Sequence, residues 1–131
     1  MSVTPGKGSV HPSIPDVEEL LRRYAVLLDL YTELESVSED IFSAIESGSS
    51  PPFIRESLDL KMAVADRIVG ESRAIAGMKK MLIEEGALES RDRKRVRHCE
   101  ENLTRMVGRV VEQENKGRDL IMNRGIRIAR R

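Results

Sequence analysis

Few residues in this chain have side chains that could do chemistry. His98 and Cys99 form the one place where two metal-ligating side chains adjoin, and the only other histidine is His11. A metal site needs several ligands at workable spacing, and sequence neighbours point about 100° apart on a helix. Cys99 therefore reads as a small seam residue. As the single cysteine it leaves no intrachain disulfide, which fits a reducing compartment. Carboxylates are plentiful, yet no Glu-x-x-His pair occurs of the kind that builds a di-iron site in a bundle. Gly6-Lys7-Gly8 lacks the spacing and the strand-to-helix context of a phosphate loop. The expectation is a protein without catalytic chemistry, metal or other cofactor, and with no small-molecule substrate.

The basic residues are the other chemical feature. Residues 91–97 read RDRKRVR, and the chain ends on Arg127, Arg130 and Arg131. Phosphate contacts would be one use of them. Against nucleic acid, no stacking aromatic lies in this stretch and six acids are interspersed. Salt-bridged arginines on a surface are the plainer reading. The segment LIMNRGIRIARR is basic and amphipathic, as membrane-surface helices are, but it lacks Trp or Phe anchors. Net charge is zero overall but not locally. Residues 1–50 carry three basic and nine acidic side chains, while residues 90–131 carry thirteen and six. Two readings stay open: an acidic first helix packs beside a basic third one, or the basic helix meets an acidic partner.

The elements that position these residues are all helices. Aromatics are 3% of the chain and charged residues 34%, a composition suited to long helices whose seams are aliphatic. No run of about 18 apolar residues offers a membrane span. Residues 1–15 hold Pro5, Pro12 and Pro15 and no apolar core of a secretory signal, so they read as an extended or disordered lead-in and the cytoplasm as the expected compartment. SGSSPP at 47–52 and GALES at 86–90 break the rest.

The spacing predicts helices over about 16–47, 52–86 and 90–129, in one domain covering 16–131. In the first, Val17, Leu20, Tyr24, Leu27, Tyr31, Leu34, Ile41 and Ile45 step by threes and fours, with Ser38 the only break and Leu21, Leu28 and Phe42 widening the stripe. The second shows Ile54, Leu58, Ala65, Ile68, Ile75 and Leu82, flanked by Met62, Val69 and Ala76, and interrupted by Lys61, Ser72 and Lys79. Gly70 and Gly77 sit in its interior, each costing about 1 kcal/mol against Ala. They mark either a close helix approach or a local bend. Ser90 reads as the N-cap of the third helix, whose stripe is clean from Val96 to Val111 and then degrades towards Gly117 and Gly125. The expected fold is all-α: three long antiparallel helices in an elongated bundle or coiled-coil-like hairpin.

Residues 106–131, MVGRVVEQENKGRDLIMNRGIRIARR, resemble the C-terminal helix of FlgN-type flagellar export chaperones. The stripe Val107, Val110, Val111 leads into Glu114-Asn115 and then into the aliphatic pair Leu120-Ile121. Arg118 stands where that family often has a second Asn. The leucine-rich first helix, the break and the second long helix fit the family in outline. The resemblance implies a cytoplasmic chaperone of the flagellar type III secretion system. It would bind the disordered C-terminal segments of the hook–filament junction proteins FlgK and FlgL and deliver them to the export gate. The residues it singles out are Val107, Val110, Val111, Asn115, Leu120, Ile121 and Ile128. Another helical adaptor, or a scaffold that homodimerises through the third helix, is the alternative.

Overall fold

The computed structural model describes the backbone of residues 16–129 and the side chains of residues 16–119 and Met122; the lead-in of residues 1–15 lies outside the described residues. Three helices follow one another: α1 (Val17–Glu46), α2 (Pro51–Glu84) and α3 (Ser90–Ala129). Among the described residues there is no strand. The all-α bundle expected from the spacing is what the chain forms.

The helix ends follow from local chemistry. Asp16 caps α1, its carboxylate accepting the Glu19 amide at 2.7 Å. Both internal breaks are built alike. Gly48 and Gly86 adopt φ of 74° and 67°, the left-handed conformation that ends helices when no Cβ stands in the way. In each break the next amide turns back on the last turn: Ser49 donates to the Ala44 carbonyl and Ala87 to that of Leu82, both at 2.9 Å. Ser90, expected as a cap, is instead the first helical residue. The Arg93 amide bonds the Glu89 carbonyl at 2.9 Å, so Glu89 holds the cap position without a capping side chain.

α1 lies between the other two. It packs against both, while no Cα of α2 comes within 8 Å of α3 among the described residues. Cross-helix pairs fix the directions. Tyr24 meets Glu100 and Ser38 meets Glu114, the same offset of 76 residues, so α1 and α3 run parallel. Arg23 meets Glu71 and Glu33 meets Arg67, so α2 runs antiparallel to α1. The acidic first helix thus does pack beside the basic third one, with Glu18–Arg95 and Glu35–Arg109 ion pairs at 2.9 and 3.0 Å.

The core departs from the expected stripes in an instructive way. In α1, the column that widens the seam is Leu30, Val37 and Ala44, all buried, rather than Leu21, Leu28 and Phe42, which are half-buried. Leu30, Val37 and Ala44 share the heptad position of Arg23, which places them on the side facing α2. In α2 the buried residues are Val64, Ile68, Ile75 and Leu82, while Leu58, Met62 and Val69 are exposed at 43, 65 and 48%. The working seam runs Val64, Ile68, Glu71, Ile75, Met78, Leu82. Its acidic member, Glu71, takes both Arg23 contacts at 2.9 and 3.0 Å. Gly70 and Gly77 serve no approach inside the chain: a Cβ on either would meet nothing within 4 Å.

Candidate partner-binding surface

Because the backbones of α2 and α3 both pack on α1 and stay apart from one another, a cleft opens between them. Tyr24, Leu27, Ile75 and Leu103 line it, and its volume is about 430 Å³. Two polar nodes join the three helices, each built from one residue per helix, the first of them at the cleft. At one, Glu100 of α3 accepts the Tyr24 hydroxyl at 3.0 Å and the Lys79 ammonium at 2.5 Å. At the other, Glu114 accepts the Ser38 hydroxyl at 3.0 Å and pairs with Lys61 at 2.6 Å. The residues that broke the sequence stripes therefore hold the helices together: Lys61 and Lys79 tie α2 to α3, and Ser38 ties α1 to α3. Ser38 is fully buried at 0% exposure and has its bond, so it costs the seam little. Spacing alone could not pair these groups, since their partners lie on other helices.

Burial, and next the Glu100 carboxylate, push the Tyr24 phenol well above its ordinary range. The folded state therefore favours the protonated phenol. Its contribution is complete below the unfolded value of about 10 and is lost as pH rises through the higher folded value. Alkaline titration of thermal stability should show a steeper fall above about pH 10 in the native chain than in Tyr24→Phe. Equal slopes would mean the phenol is not coupled to folding.

Of the residues singled out by sequence, the structure brings three together on one flank of α3. Val107 shares the heptad position of Glu100 and Glu114, and so lies between the two nodes, beyond the cleft residue Leu103. Val111 and Asn115 follow at steps of four, both exposed, turning from the cleft towards solvent. Val110 does not join them. It is 5% exposed within the main core, because its direction on the helix points at α1. The helix itself runs on through Gly117 to Ala129, but the side chains of Leu120, Ile121 and Ile128 lie outside the described residues. The packed part of α3 also reaches further than its stripe suggests. Gln113 donates to the Glu35 carbonyl at 2.9 Å. At Gly117 an added Cβ would overlap the Phe42 ring, so the missing side chain makes the socket in which that ring sits.

The basic segment is partly absorbed by the bundle. Arg95 pairs with Glu18 and Asp92, and the Arg93 Nε donates to the Leu88 carbonyl; Arg91, Lys94 and Arg97 are exposed. Cys99 is half-buried, and burial pushes its thiol up while Arg95 pulls it the other way. Among the described residues no three of His, Cys, Asp or Glu converge, and no helix is long and apolar enough to cross a membrane. No family model matches the chain, and neither a curated protein nor a solved structure does.

Proposed function

We propose that this protein is a cytoplasmic export chaperone of the flagellar type III secretion system. It holds an amphipathic C-terminal segment of FlgK or FlgL along the α2–α3 cleft and the end of α3, and hands it to the export gate. The reading assigns it no catalytic step. The observation that carries it is the separation of the α2 and α3 backbones, which the Lys61–Glu114 and Lys79–Glu100 pairs bridge at two points. The cleft has an apolar floor of Tyr24, Leu27, Ile75 and Leu103, and Val107 and Val111, two of the residues that resemble the chaperone family, follow Leu103 along α3 at steps of four. A partner helix laid there would cover that floor in the helix-in-groove mode. Asn115, exposed beside it, would supply a directional hydrogen bond. The 76-residue offset between α1 and α3 aligns Glu46 with Met122. The last seven residues of α3 thus extend past the end of α1, where Ile128 lies.

The test is co-purification with the C-terminal segment of FlgK. Val111→Asp changes an exposed position and should leave the fold intact, while weakening capture about tenfold or more. A chain ending at Asp119 keeps Glu114 and Gly117 and should likewise fold but lose capture. If both variants bind as the native chain does, this placement of the client is wrong. If the native chain shows no capture of either FlgK or FlgL, the flagellar reading itself fails, and another helical adaptor takes its place.

A further inference from the structure

The outer face of α2 lies opposite its buried column, and the fold does not use it. Met62 and Val69 are exposed at 65 and 48%. Around them Arg55, Asp59, Asp66, Arg73, Lys80 and Glu84 are all exposed, and among the described residues none of these six forms an ion pair within the chain. The interior glycines Gly70 and Gly77 lie on the same face with open space above them.

The order of charges along this face is the informative part. It runs plus, minus, minus, plus, plus, minus from Arg55 to Glu84. Reversed end for end, every sign inverts. Laid antiparallel on itself about a point between Val69 and Gly70, the helix sets Arg55 against Glu84, Asp59 against Lys80 and Asp66 against Arg73. The twofold axis repeats each pair. The same superposition sets Met62 against Gly77, Val69 against Gly70 and Ala63 against Ala76. Each larger apolar side chain then faces a glycine, which allows two helix backbones to approach closely. A parallel pairing would bring like charges together at every layer.

We infer that a second copy of this chain binds here, α2 against α2, in an antiparallel isologous dimer. The face from Arg55 to Glu84 is about 44 Å long. A stable interface needs about 1,200 Å², and two such faces meeting along their whole run supply area on that order. Of the residues set against one another in the dimer only Ala76, at the flank of the face, also lines the α2–α3 cleft, so the dimer leaves the rest of that cleft open on each copy. The inference stands without the chaperone reading.

Charge exchange tests it on the full chain, by light scattering coupled to size exclusion, with circular dichroism to check the fold. The native chain should be a dimer at micromolar concentration. Asp59→Lys with Asp66→Lys makes the face wholly basic at these four positions, and Arg73→Asp with Lys80→Asp makes it wholly acidic. Each double variant should be monomeric and as helical as the native chain. Mixed in equal amounts, the two should form a heterodimer, and the chain carrying all four exchanges should dimerise again. A monomeric native chain at every concentration overturns the inference. So does a dimer that survives either double exchange, or a mixture that stays monomeric.

Discussion

Leu20→Ala should lower the unfolding free energy by about 2–5 kcal/mol, visible as a lower denaturant midpoint at unchanged slope. Leu20 is fully enclosed at 0% exposure within the main core cluster. It sits near the start of α1, level with the start of α3 and the end of α2, in the cluster that also holds Val96, Leu82 and Leu88. The loss therefore combines the transfer term of the deleted methyl groups with the cavity left behind. Met62→Ala removes a comparable volume from a side chain that is 65% exposed. Within one copy it should change stability by only about 0.5 kcal/mol or less. A large loss at Met62, seen also at concentrations where the chain is monomeric, would mean that α2 is rotated from the orientation described.

Gly117→Leu should cost about 1–3 kcal/mol through overpacking. The Phe42 ring occupies the space that the new side chain needs. Both helices are continuous at this level, so relief must come either from turning the ring out of its socket or from lifting the end of α3 off α1. Amide exchange would locate the effect: protection should fall in α3 beyond Glu112 and stay unchanged around Val96. Phe42→Ala combined with Gly117→Leu should recover part of the loss, because the leucine then fills the vacated socket. Gly70→Ala and Gly77→Ala, measured at concentrations where the chain is monomeric, are the controls. Their added methyl groups meet nothing within 4 Å, and alanine gains about 1 kcal/mol of helix propensity at each site. A stabilising effect of Gly117→Leu matching theirs would remove the socket from the account.

These contrasts also mark where the sequence was informative. Helix content and the two breaks were readable, because they depend on local chemistry. Gly48 and Gly86 end their helices through a backbone conformation. The up-down-up order followed from break length, and the acidic–basic match of α1 and α3 was visible in the charge count. The directions of the residues singled out on α3 were legible only in part. Val107 is half-buried and Val111 exposed, but Val110, equally valine and equally on the stripe, is buried in the core.

What only the tertiary structure decided is which apolar positions count as core. In α2 two stripes of similar hydrophobicity compete, and the one that wins contains Glu71. An acid in a seam looks like a fault until Arg23 arrives from another helix. The same holds for Ser38 with Glu114, and for Lys79 with Glu100. A heptad pattern measures what each residue does to its own helix, with neighbours four residues away. Whether a polar seam residue is a penalty or a clasp depends on a partner 21 to 76 residues distant. That distance is closed only when the helices pack.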